Sequence, residues 1–166
     1  MEPDTAETAA LRRSLLARLA TRVLHSYFAV ARGMTMGVRA ACFDEAGRIF
    51  LVRHSYVPGW YLPGGGIERW ETAGEALAKE MREEGNLALG APPRLLHVYF
   101  NRKISKRDHV LLYRCDGVRQ VAPRPPDREI VETGFFAPDA LPADATQATR
   151  RRLDEIAGRV PFADVW

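Results

Sequence analysis

The sequence predicts an α/β domain, on three observations. Short β-rich runs dominate from Met36 onward, a helix with capping-box spacing interrupts them at Thr72, and a second helical stretch follows near residue 145. The 166 residues suit one compact domain with a sizeable core and leave no room for a second catalytic one. With 46% hydrophobic and 27% charged residues the composition is globular, which excludes disordered and fibrous classes.

Residues 7–31 carry Leu11, Leu15, Leu19, Val23 and Tyr27 at four-residue steps, the mark of an amphipathic helix. Arg12, Arg13, Arg18 and Arg22 lie mostly off that stripe. A membrane-surface helix would look similar, but a helix packed on its own domain or across a homodimer is the commoner use of such a stripe. Residues 38–43 and 49–53 read as two strands joined by the turn Asp44-Glu45-Ala46-Gly47, a hairpin. The apolar Trp60-Tyr61-Leu62 runs into Pro63-Gly64-Gly65-Gly66, where a loop must start, because consecutive glycines favour neither helix nor strand. Thr72 and Glu75 have capping-box spacing, so a helix begins at Thr72 and ends near Gly85-Asn86, residues that tolerate a left-handed backbone. Further strands are expected over 95–103, 109–115 and 130–136, the first two separated by the basic run Arg102 to Arg107. A last helix over 145–157 places Arg150, Arg151 and Arg152 on a largely exposed face.

The formal charge of +3 and a pI near 9.1 favour a polyanionic ligand without requiring nucleic acid. The two cysteines, Cys42 and Cys115, each sit in an apolar strand-like run and read as buried inert thiols, not as a disulfide or zinc site. No secretory signal and no long uncharged apolar run is present, so the expected location is cytoplasmic, with no membrane partner.

The chemistry is concentrated on the helix from Thr72. Relative to Leu77, Met81 and Glu84 lie close to one direction while Glu80 and Glu83 fall on its flank, so three carboxylates share a sector beside the buried stripe. Like charges at these spacings repel, and a bound dication removes the penalty. Hard cations such as Mg²⁺ take oxygen ligands, drawing the remainder from substrate phosphate and water. An ordinary solvated acidic face is the alternative for any isolated helix with three glutamates.

This helix is not isolated. Gly64-Gly65-Gly66-Ile67-Glu68-Arg69-Trp70-Glu71, seven residues, and then Lys79-Glu80-Met81-Arg82-Glu83-Glu84-Gly85-Asn86-Leu87 resembles the Nudix box, G-x5-E-x7-R-E-U-x-E-E-x-G-U with U aliphatic. Gly65, Glu71, Glu80, Met81, Glu83, Glu84 and Leu87 fit it. From ordinary residue frequencies such a match arises by chance in roughly one chain in 10⁵, so the resemblance is specific. Two positions depart: Lys79 replaces the family's arginine and Asn86 its second glycine. The strand-like Trp60-Tyr61-Leu62-Pro63 before the box, and the segment from Glu129 through Phe135-Phe136 to Leu141-Pro142, extend the resemblance over about residues 36–160.

The resemblance implies an α/β/α sandwich with a mixed central sheet, preceded by the N-terminal helix. The domains would then be a helical extension, residues 1–34, and a Nudix hydrolase domain, residues 35–166. It implies hydrolysis of a phosphoanhydride bond in a nucleoside diphosphate derivative or similar small phosphorylated metabolite. Glu80, Glu83, Glu84 and the carbonyl of Gly64 would hold Mg²⁺, with Mn²⁺ as the alternative; the ion offsets phosphate charge and lowers the pKa of the attacking water. Lys79 would pair with Glu71, without the forked contact an arginine makes. Glu80 is the first choice of general base and Glu129 the second, with Asp108 a weaker candidate. Arg53, Arg102, Lys103 and Arg107 are the candidate substrate contacts, with Lys106 beside them; a solvated hairpin tip is the plain alternative for the last four. His54 and His109 read as satisfied structural histidines, and Trp60, Tyr56 and Tyr99 as core aromatics more than base-stacking ones. Two other readings stay open: an RNA 5′-end pyrophosphohydrolase, which the basic pI allows, and a catalytically silent nucleotide-binding module, which Lys79 and Asn86 favour. The retained acids weigh against the second.

Overall fold

The computed structural model describes residues 18, 21–28 and 30–166. The chain divides into two compact units, Met1–Met34 and Thr35–Trp166. In the first, residues 18, 21–28, 30 and 31 are helical, while Leu11, Leu15 and Leu19 of the expected stripe lie outside the described residues.

In the second unit seven strands and two helices follow in the order β1 (Thr35–Cys42), β2 (Ile49–His54), α1 (Ala73–Gly85), β3 (Leu87–Ala88), β4 (Arg94–Phe100), β5 (Asp108–Cys115), β6 (Arg119–Gln120), β7 (Ile130–Phe136) and α2 (Gln147–Ile156). One sheet is mixed, with β5 at its centre, parallel to β1 and antiparallel to β4. A second pairs β2 with β7, and a small one pairs β3 with β6, all antiparallel.

Strand alternation sorts side chains into two cores. Val38, Ala40, Cys42, Phe50 and Val52 pack with Ala76, Leu77 and Met81 of α1. Ala41, Ile49, Leu51, Trp60 and Leu112 pack with Leu153 of α2. Because odd and even positions of one strand point to opposite faces, β1 and β2 serve both layers, which is the α/β/α arrangement.

The hairpin expected of β1 and β2 does not form as a ladder. Its turn is present, with Asp44 Oδ1 accepting from the amides of Ala46 and Arg48. Beyond the single bridge Phe43 to Ile49, however, the strands part into different sheets. A second correction concerns α2: Arg152 is fully buried, not exposed. It shares the inward face with Leu153 and donates to Glu155 at 2.7 Å. Cys42 and Cys115 are free buried thiols, as expected. Among the described residues no helix is long and apolar enough to cross a membrane.

Candidate active site

The site is assembled around α1. Thr72 caps it, with the reciprocal Thr72 and Glu75 contacts of a capping box, and Asn86 ends it at φ 50° in the left-handed region. Glu84 lies seven residues after Leu77, two helical turns on, and so falls on the buried face. One of its carboxylate oxygens accepts from the amide of Gly64 at 2.7 Å. The backbone there has φ 141°, and a Cβ on Gly64 would sit 2.1 Å from the Val38 carbonyl oxygen, so the position requires glycine.

Burial pushes the Glu84 carboxyl up to about 7, more than the Gly64 amide and the Arg39 guanidinium pull it down, with Glu80 and Glu129 adding repulsion. Glu80 is raised too, mainly by its own burial, with Lys79 opposing and Glu83 adding to the rise. Its carboxylate lies against Gly65: a Cβ there would meet Glu80 Oε1 at 2.4 Å. Glu71 accepts from the Glu68 amide at 2.8 Å and pairs with Lys79 at 3.1 Å, contacts that hold its carboxyl below the usual range. The expected Lys79 to Glu71 pair is therefore present.

Not all the expected residues converge. Glu83 is exposed at the rim. Glu129, just before β7, is brought in: its carboxylate, that of Glu84 and a ring nitrogen of His54 lie within 4.8 Å of one another. Arg53 is engaged elsewhere, paired with Glu132 at 3.1 Å and over the Trp60 ring. Arg102, Lys103 and Arg107 occupy the connection between β4 and β5; of these only Lys103 lines the adjoining cavity. Asp108 is occupied by Thr35 and Asn101, at 2.7 and 2.8 Å. His54 corrects its expectation as a satisfied histidine, because its buried Nδ1 has no hydrogen-bond partner among the described residues, and the same holds for His109 Nδ1.

Arg39 is the residue that sequence reasoning passed over. It interrupts the apolar run of β1, and its guanidinium donates to the carbonyls of Leu62 and Gly64. It also borders a cavity of about 770 Å³ that runs from Gly65 and Gly66 past Tyr61 and Val110 to Gln147 and Trp166. A charged residue at an inward register position was the available signal.

The donor set suits a dication. The Glu84 carboxyl is buried and that of Glu80 half-buried, both are held away from their ionised state by burial and repulsion, and a His54 ring nitrogen lies within 4.8 Å of the Glu84 and Glu129 carboxylates. Positive charge is what such a group of oxygens calls for.

A glycine loop that borders a cavity of about 770 Å³, beside an acid-bearing helix of an α/β/α sandwich, makes a site suited to phosphate chemistry with a dication. Residues 33–156 match the family model described as the NUDIX domain. The chain belongs to the Nudix family and is a pyrophosphohydrolase of that family. It is 28% identical over 123 residues, 73% of this chain and 78% of the relative, to a Bacillus subtilis (strain 168) protein that carries the provisional name 8-oxo-dGTP diphosphatase. It is 34% identical over 84 residues to an RNA pyrophosphohydrolase of Halorhodospira halophila, a match spanning 47% of this chain and 45% of that one. Among solved structures, the MutT NUDIX hydrolase from Burkholderia pseudomallei superposes with a TM-score of 0.62 and 29% identity, over 74% of this chain and 97% of that one.

Proposed function

We propose that the chain is a Mg²⁺-dependent hydrolase that cuts a phosphoanhydride bond in a nucleoside diphosphate derivative or a similar small phosphorylated metabolite. The observation that carries this reading is Glu84, a buried carboxyl raised to about 7 and anchored to the glycine loop through the Gly64 amide. A module that only bound nucleotide would have no need of that costly burial.

Glu80, Glu84 and Glu129 would hold the ion, with the Gly64 carbonyl, which here accepts from Arg39, beside them and Glu83 at the rim; the bound ion would offset charge on phosphate oxygens and acidify a water. The protein's own share is mostly positioning. Glu71, fixed by Lys79 and the Glu68 amide, braces the loop that carries Gly65. Glu80 is the general base we favour, because burial raises its carboxyl above the ordinary value and so makes it a stronger proton acceptor than a solvated carboxylate. Arg39 and Lys103 are positioned along the cavity to meet phosphate oxygens, better than Arg53, Arg102 or Arg107. Residues 35–166 form the catalytic domain in this reading, and 1–34 an extension to it.

Hydrolysis of nucleoside di- and triphosphate derivatives and of a 5′-triphosphorylated RNA, each with Mg²⁺, Mn²⁺ or chelator, tests the proposal against Glu84→Gln. Metal-dependent turnover of a small compound that collapses in the variant is expected. Turnover of the RNA alone would replace the substrate class, and binding without turnover, equal in both proteins, would leave a silent module.

A further inference from the structure

We propose that His54 is a nitrogen ligand of the dication site, which gives this site a preference for first-row transition dications over Mg²⁺. The proposal rests on the metal reading above and concerns which ion the site selects.

His54 ends β2, and the ladder with β7 slips there: Arg53 faces Glu132, but His54 faces Ile130. Such a bulge re-aims the side chain at the end of a strand. The ring is 7% exposed and fixed between Tyr56 and Tyr61, at centroid distances of 5.1 and 5.7 Å. Its Nδ1 has no partner among the described residues, and its Nε2 stands 3.8 Å from Glu84 Oε1, too far for a hydrogen bond. Nε2 is thus the ring nitrogen that faces the acids, with no hydrogen bond among the described residues to keep it from an ion.

Two carboxylates stand beside it. Glu129 is secured beside the strand end, because its carbonyl accepts from the Ser55 amide at 2.8 Å and Ser55 Oγ donates to the Arg128 carbonyl at 2.6 Å. Donor atoms of His54, Glu84 and Glu129, from a strand, a helix and a loop, thus lie within 4.8 Å of one another. Ligands about 2.1 Å from a common ion sit roughly 3 to 4 Å apart, so closing the set needs at most about 1 to 2 Å of movement, shared among the three side chains. Adding one imidazole to the carboxylates makes the set softer than one of oxygens alone. Mg²⁺ gains little from nitrogen, whereas affinity at mixed nitrogen and oxygen sites rises along the series from Mn²⁺ to Co²⁺.

The test is spin-echo EPR of the Mn²⁺-loaded protein, together with calorimetric titration by Mn²⁺, Co²⁺ and Mg²⁺. Nitrogen modulation from the bound ion is expected, converting to the ¹⁵N pattern in protein grown on ¹⁵N-histidine and vanishing in His54→Gln. The same variant should weaken Co²⁺ and Mn²⁺ by at least about tenfold and Mg²⁺ by less than about twofold. Tight Mn²⁺ binding without nitrogen modulation in the wild-type protein would overturn the role of His54 and leave the metal site standing. Equal weakening of all three ions would do the same. If no ion binds stoichiometrically, the metal reading itself falls.

Discussion

Gly65 and Glu80 are coupled by contact. Gly65→Ala would place a methyl on the Glu80 carboxylate, at 2.4 Å from Oε1 before any relaxation, so the acid must turn away. A displacement near 1 Å at a reacting group costs about 10²-fold in rate. We expect kcat to fall by about that factor with KM little changed, read by steady-state kinetics. Trp70 makes the opposite case. It is 96% exposed and sits at φ 69°, where a bulky residue is strained. Trp70→Gly should raise unfolding free energy by about 1 kcal/mol, measured by denaturant titration, because the strain disappears and no buried contact is lost.

At the scale of elements, α1 was the most legible part of the chain because its signals are local. Thr72, Glu75 and Asn86 do in the structure what their spacing announces, and Thr72→Ala should cost about 1 kcal/mol by thermal or chemical denaturation. The strands were legible as strands, yet their partners were not. The choice of β5 as neighbour of β1 depends on residues more than sixty positions away, and a good local turn at Asp44 to Gly47 suggested the wrong partner. The two-residue β3 and β6 are too short to show any alternation. Arg152 was misplaced because arginine is usually solvated; Glu155, three residues on, was the sign of a buried pair. The acids of the site were legible from the box, whereas Arg39 and His54 come from strands that only the folded sheets bring to it.

For the molecule as a whole, buried charge is the organising cost. Arg152, Glu155 and Tyr99 form one network, Tyr99 donating to Glu155 Oε2 at 2.7 Å and the Ala163 amide to Oε1 at 3.1 Å. It ties α2 to β4 and to the stretch ending at Trp166, whose amide bonds Phe100. Arg152→Ala removes the buried cation and leaves the buried Glu155 with only the exposed Arg151, at 3.5 Å, as counter-charge, and a loss of about 3 kcal/mol is expected in denaturant titration. Glu84 makes stability depend on pH. Its folded value of about 7 lies above the ordinary 4.5, so between the two the native state holds the extra proton. Its stabilisation is therefore complete below about pH 4.5 and lost as pH rises through about 7, to the extent of about 3 kcal/mol. In chelator, the native protein should lose stability relative to Glu84→Gln over that window, and added dication should shrink the difference.

The three tryptophans stand in three surroundings: Trp60 is 5% exposed in the core, Trp70 is 96% exposed beside the glycine loop, and Trp166 is half-buried at the wall of the cavity. An excited indole surrounded by water emits to the red of one in an apolar core, and ionic quenchers reach only the former. Unlabelled protein should therefore give separable optical signals. A red, iodide-sensitive band would report the box loop through Trp70, and a band that changes when a nucleotide enters would report the cavity through Trp166. A blue, unquenched band from Trp60 would serve as an internal standard that the fold is intact.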